Sequence, residues 1–200
     1  MIVKYQLKLQ FTTIETMATK QSFPRKPRTR PAKLGEDALW DLALKQLSRR
    51  AHSANQLRAK LSMRADSPGA VTAVMQKLRE YGYTDDQKFS EAFASSRLQN
   101  EGFGKFRVLR DLQSKRVSSG VAQQAVEKIF EGADEKELID AYLARKYRSV
   151  VLHHFLKEDK NVASAYRRLR TAGFSSSATL AALKRHGQRA ADWEEPPEED

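Results

Sequence analysis

The side chains able to do chemistry are few. Four histidines occur, His52, His153, His154 and His186, and no cysteine. No H-E-x-x-H spacing brings two imidazoles onto one helical face. The adjacent pair His153 and His154 is expected to point to different faces of a helix. A metal site needs more convergent ligands than that. Without cysteine there is no thiolate nucleophile, disulfide or thiolate-bound zinc. Asp85 and Asp86 fall at a predicted helix start, where carboxylates favour the helix dipole, so they read as caps rather than as an acid–base pair. Gly102, Phe103 and Gly104 form a fragment of a glycine-rich pattern, with no preceding strand and no third glycine. They read as a break between helices, and no phosphate loop of the G-x-x-x-x-G-K-[ST] type is present. No catalytic residue, metal ligand or cofactor site is expected, and the chain reads as a binding protein, not an enzyme.

The remaining chemistry is cationic. The net charge is +11. Residues 1–35 contribute +7, and residues 36–189, with 28 basic and 18 acidic side chains, contribute +10. Residues 190–200 hold six acids and no base. A basic body favours a polyanionic or acidic partner. On a helix near 105–115, Val108, Leu109 and Leu112 share one face, which puts Arg107 and Arg110 opposite by 100° steps. On a helix near 161–170, Val162, Ala165, Tyr166 and Leu169 face inward, and Arg167, Arg168 and Arg170 lie outside or flank. Arg110 and Arg167 align when the two segments are superposed, so a basic stripe is expected to cross repeats. Lys105, Arg107, Arg110, Lys115, Arg116, Arg167, Arg168 and Arg170 are the candidate contacts to a partner or to DNA. Arginine suits that task because its planar fork matches carboxylates and phosphates.

These residues need rigid elements to carry them, and apolar spacings of three and four recur between the tails. Leu39, Leu42, Ala43 and Leu47 stripe a first helix; Ala54, Leu57 and Leu61 a second; Val71, Val74, Met75 and Leu78 a third. Gly82 is placed to end the third in a left-handed turn. Phe89, Ala92, Phe93 and Ser96 then stripe a fourth, and Phe106, Val108, Leu109 and Leu112 a fifth. Val121, Ala125, Val126 and Ile129 stripe a sixth, and Leu138, Ile139, Tyr142 and Leu143 begin a seventh that runs on toward Phe155. Val162 to Leu169 make an eighth, and Leu180 and Leu183 belong to a ninth. Capping boxes are predicted from Ser53 to Gln56, Thr84 to Gln87 and Asp134 to Glu137. Trp40 is expected in the core. The spacing repeats about every 50 residues, three helices at a time. The expected fold is therefore all-α, a tandem array of three three-helix repeats over 36–86, 87–133 and 134–189 that share apolar faces. The flanks, 1–35 and 190–200, read as disordered tails, one basic and proline-bearing, the other acidic. Met17 is a second candidate start.

At this point the residues resemble a family. Gly82, Tyr83, Thr84, Asp85 and Asp86 followed by Phe89, Ser90, Glu91, Ala92 and Phe93 are similar to the first-to-second repeat junction of RecX proteins. Phe103 and Gly104, then Leu112, then Lys115, Arg116 and Val117, resemble the family's central motif. Ala165 to Leu169 with Gly173 and Phe174 resemble its third repeat. Two positions depart from the pattern: Arg116 stands where the family usually has glycine, so that turn should be shaped differently, and Lys105 stands where proline is common. The resemblance implies a right-handed array that binds RecA and the RecA–DNA filament and limits recombinase, ATPase and coprotease activities. It says nothing of the tails. Two other readings remain: a stand-alone helical protein that binds DNA phosphates directly, and a scaffold for a different acidic partner. No stretch approaches the roughly 18 apolar residues of a membrane span, no secretory signal is evident, and a monomer in the cytoplasm is expected.

Overall fold

The computed structural model describes residues 32–187. Residues 1–31, with the proline-bearing stretch, and residues 188–200, with the acidic end, lie outside the described residues. Within them the chain forms α1 (Glu36–Leu47), α2 (Ala54–Ser62), α3 (Pro68–Glu80), α4 (Asp86–Ser96), α5 (Lys105–Ser114), α6 (Ser119–Ile129), α7 (Glu135–Lys146), α8 (Leu152–Phe155), α9 (Asp159–Ala172) and α10 (Ser176–His186). A π-helical turn, Arg97–Glu101, continues α4. The all-α repeat array is what the periodicity predicts.

Local chemistry sets the helix ends. Ser53 caps α2, its hydroxyl accepting from the Gln56 amide at 3.2 Å. Asp134 caps α7 by accepting from the Lys136 amide at 2.8 Å. Gly82 ends α3 with φ +71°. The predicted cap at Thr84 is displaced by one residue. Asp85 is the cap, accepting from the Lys88 amide at 3.0 Å, and that bond heads the causes that lower its carboxyl below the usual range. The shift leaves Asp86 as the first helical residue, with its carboxylate free to reach another helix.

Several sequence expectations change. Helix α4 buries Ser90 and Ala94, while Ala92 and Ser96 are exposed. Small side chains at the buried positions let α4 lie close along α6, and Phe89 and Phe93 fill the flank instead. The predicted seventh helix stops at Lys146, and one turn, α8, follows separately. The β-branched pair Val150 and Val151 in between favours a break, and the turn brings Phe155 within 5.0 Å of the Tyr147 ring. In that single turn the His153 and His154 rings meet edge to face at 5.3 Å rather than diverging. Trp40 is only half-buried; it packs at the rim of the first repeat against Tyr81 and Tyr83, with Lys77 Nζ 4.6 Å from its ring. The end of the predicted N-terminal tail is tied down: Leu34 donates to the Arg64 carbonyl at 2.8 Å and accepts from the Asp66 amide at 3.0 Å.

The three groups do not share one continuous apolar interior. Leu39, Leu57, Leu61, Val74 and Leu78 centre a core belonging to α1–α3 alone. A second core runs unbroken from Ala94 and Phe103 through Leu112, Ile139 and Leu169 to Leu183, fusing α4–α6 with α7–α10. The joint between the first two groups is polar. The Ser53 hydroxyl donates to the Lys115 carbonyl, the Ala54 amide donates to Asp86 Oδ1 at 2.7 Å, and the Asn55 amide side chain donates to the Arg116 carbonyl at 2.9 Å.

Candidate partner-binding groove

Helices α5 and α9 meet end to end, and the candidate site lies beside that meeting. A helix leaves its first amides and last carbonyls without internal partners. Here each set serves the other. Gly104 N donates to the Ala172 carbonyl at 2.8 Å, and Phe106 N donates to the Gly173 carbonyl at 3.1 Å. The approach requires glycine on both sides. A Cβ at Gly104 would strike the Gly173 carbonyl, and one at Gly173 would strike the Arg107 amide; Gly173 also needs its φ of +93°. The negative end of α9 thus faces the positive end of α5, a favourable alignment of dipoles.

Three guanidiniums close the same joint. Arg107 Nη1 and Arg110 Nη2 each lie 3.3 Å from the Thr171 carbonyl, and Arg170 Nη1 donates to the Phe174 carbonyl at 2.9 Å. Arg107 also covers the Phe103 ring at 4.0 Å. Beside them opens a groove of about 560 Å³ lined by Phe106, Leu109, Arg110, Gln113, Arg170, Thr171 and Phe174. Across Phe106 a second hollow of about 340 Å³ includes Lys105, Phe130 and Leu138. Phe106 is the ridge between the two, 53% exposed. The nearby acids are already engaged: Asp111 lies 3.6 Å from Arg97, and Glu135 accepts from the amide and hydroxyl of Ser175, both at 2.7 Å. Arg110 and Arg170 form no ion pair among the described residues.

The structure therefore gathers Arg107, Arg110 and Arg170 at one place and leaves the other candidates elsewhere. Arg110 is exposed and Arg107 half-buried, and both guanidiniums also reach the bare Thr171 carbonyl at the end of α9, a contact the helical-wheel reading does not include. Lys105 lines the second hollow. Lys115 and Arg116 end α5 at the polar joint, a helix length of roughly 15 Å away, and offer their carbonyls to α2. Arg116 has φ +60°, so the turn that glycine commonly makes is made by arginine. Arg167 and Arg168 are exposed on the outer side of α9, Arg168 lying 5.5 Å from the Tyr147 ring. Arg110 and Arg167, aligned in sequence, thus sit in different surroundings. Arg110 has the end of α9 to bind, whereas no described helix follows to do the same for Arg167. The periodicity places Phe106 in the apolar stripe of α5, but it is exposed. The available signal was its phase, since it shares a side only with Leu109. At the polar joint, burial leads the causes that lower the His52 pKa, followed by the charges of Lys60 and Arg50, with a smaller part from Lys115.

A family described as "RecX, second three-helix domain" matches residues 85–126, which span α4 to α6. A regulatory protein RecX of Halorhodospira halophila is 34% identical over 56% of this chain and 66% of its own length. That of Vibrio vulnificus is 30% identical over 68% of this chain and 84% of its own. The chain belongs to the RecX family. A more distant RecX, from Deinococcus radiodurans, is 26% identical over 91% of this chain and 83% of its own length. Two RecX crystal structures share the fold. The one from Lactobacillus salivarius has a TM-score of 0.59 at 15% identity, over 75% of this chain and 95% of that one. A second has a TM-score of 0.61 at 20% identity, over 75% and 73%. The RecX relatives are named as regulatory proteins, and this chain is a regulator of that type. The α5 side of the groove lies within the matched second domain, and the α9 side lies beyond it. Among the described residues no helix is long and apolar enough to cross a membrane.

Proposed function

We propose that this RecX-type regulator binds RecA in its DNA filament, in the cytoplasm, and restrains it without catalysing a reaction. The observation that carries the reading is the groove at the α5–α9 joint. It combines an exposed aromatic, Phe106, with two guanidiniums that have no carboxylate partner among the described residues. An aromatic and arginines around a hollow are the usual makings of a protein-binding hot spot. The array would lie along neighbouring RecA subunits, presenting Arg110 and Arg170 to acidic side chains and opposing the motions that turnover needs. Arg107, Arg167, Arg168 and Lys105 extend the contact on either side, while Lys115 and Arg116 shape the turn at the polar joint.

The test is RecA's DNA-dependent ATPase with this protein titrated below one copy per RecA. Suppression that grows with added protein is expected. Arg110→Glu should weaken it about tenfold, the effect of about 1.4 kcal/mol, with the helical circular dichroism unchanged. An unaffected ATPase with folded protein overturns the reading. Direct DNA binding is the second reading, favoured by the exposed pair Arg167 and Arg168. It predicts affinity for DNA alone that falls steeply with salt, and a shallower salt slope when both are replaced by Ala.

A further inference from the structure

The groove at the α5–α9 joint has a chemistry that the chain itself can satisfy. Its walls offer Phe106 and Leu109 for an apolar side chain, and Arg110 and Arg170 for carboxylates. An exposed guanidinium, Arg110, and a half-buried one, Arg170, over an apolar floor suit an acidic segment that carries an aromatic anchor. The chain holds one such segment: Asp192, Trp193, Glu194, Glu195, Pro196, Pro197, Glu198, Glu199 and Asp200. Trp193 is its single large apolar residue, flanked on both sides by acids.

The reach is sufficient. Phe174, beneath the groove, is followed directly by Ser175 and α10. A helix of 11 residues is about 16 Å long. The described chain ends at Gly187, packed against Leu156 at the far end of α10. Trp193 lies six chain steps beyond Gly187, and at up to about 3.5 Å a step they span about 20 Å. That length matches the helix, so a segment that ran back beside α10 could reach the level of Phe174, with two carboxylates following the indole toward Arg110 and Arg170. The second hollow, which contains Glu135, is a poorer match in charge.

We infer that the groove between α5 and α9 is a receptor for the acidic, tryptophan-bearing end of this same chain, residues 190–200. A partner that uses the groove must then displace that segment, so the acidic end sets the threshold for engagement. The inference shares its groove with the RecA reading, but its test contains no RecA, so either can fail alone.

The chain has two tryptophans, Trp40 and Trp193. In the full-length Trp40→Phe variant, Trp193 is the only one, and acrylamide quenching reports its shielding. At low salt Trp193 should be protected relative to a free peptide of residues 188–200. Adding Arg110→Glu, or raising salt to about ten times the starting value, should remove the protection. Quenching equal to that of the free peptide at low salt overturns the inference. So does protection that grows with protein concentration, which would place the segment on a second copy. If Trp40→Phe does not fold, a second measurement leaves the body untouched. Full-length protein carrying Asp192→Asn, Glu194→Gln and Glu195→Gln is titrated into a fluorescein-labelled peptide of residues 188–200. Anisotropy should show binding about tenfold tighter than to the unaltered chain, whose own segment competes, a difference of about 1.4 kcal/mol. Equal binding to both, or none, overturns it.

Discussion

Arg116 carries the chain out of α5 with φ +60°. Its amide bonds the Gln113 carbonyl at 2.8 Å, and the next amide, of Val117, bonds that of Leu112 at 3.2 Å. This left-handed closure crowds any side chain with a Cβ. Arg116→Gly should therefore raise stability by about 1 kcal/mol despite glycine's greater freedom when unfolded. The urea midpoint is the measurement, and a fall would mean that the Arg116 side chain stabilises more than its backbone costs. The RecX resemblance marked this position as a departure, and the structure supplies its physical content. His52 makes a second residue-scale prediction. Its folded pKa is lowered by burial first and by neighbouring cations after that. The unfolded chain thus binds the extra proton sooner. Stability is fully present above the unfolded value of about 6.5 and is lost as pH falls through the lowered folded value. Urea midpoints at pH 7.5 and 5.5, each a rough choice astride that value, should differ more in the natural chain than in His52→Gln; equal losses would assign the effect to other groups.

The joint between α5 and α9 decides matters at the scale of elements. Gly104 faces the Gly173 backbone, which cannot swing aside as the end of a side chain can. Gly104→Ala should destabilise by about 1–3 kcal/mol, as overpacking does, and should weaken any activity that uses the groove. Gly120 in α6 is the internal control, since nothing lies within 4 Å of a Cβ placed there. Gly120→Ala should leave stability equal or raise it by about 0.5–1 kcal/mol. Thermal melts of the two variants check the pair, and equal melting temperatures would show that the joint tolerates slack. The Phe103–Gly104 and Gly173–Phe174 pairs were legible as motifs and as helix ends. That they touch was not legible, because 69 positions separate Gly104 from Gly173 in the chain and no periodicity reports a contact between different helices. The helical wheel omits the contact of Arg107 and Arg110 with α9 for the same reason. It assigns residues to core or water and has no category for the exposed end of another helix.

The whole molecule divides at its polar joint. Among the described residues, α1–α3 close a small core of their own, whereas α4–α10 share one. A small core removes proportionally less surface from water and is the weaker unit. Stability in a repeat array is a sum of unit and interface contributions, and the interface here consists of hydrogen bonds rather than buried apolar area. Amides of α1–α3 should therefore exchange with deuterium at a lower opening free energy than those of α5, α6 and α9. Uniform protection across the array would show the joint to be as cooperative as the fused core.

By itself, the sequence determined the all-α repeat class, the caps at Ser53 and Asp134, the family and the cationic character of the chain. Each of these is written in neighbours a few residues apart, where spacing, caps and charge act locally. Only the tertiary structure decided which cations converge, that Phe106 is exposed, and that the repeats divide into one core and two fused ones. Those outcomes depend on which helix ends meet, and a carbonyl left bare at the end of α9 can choose its donor only after the chain has folded back upon itself.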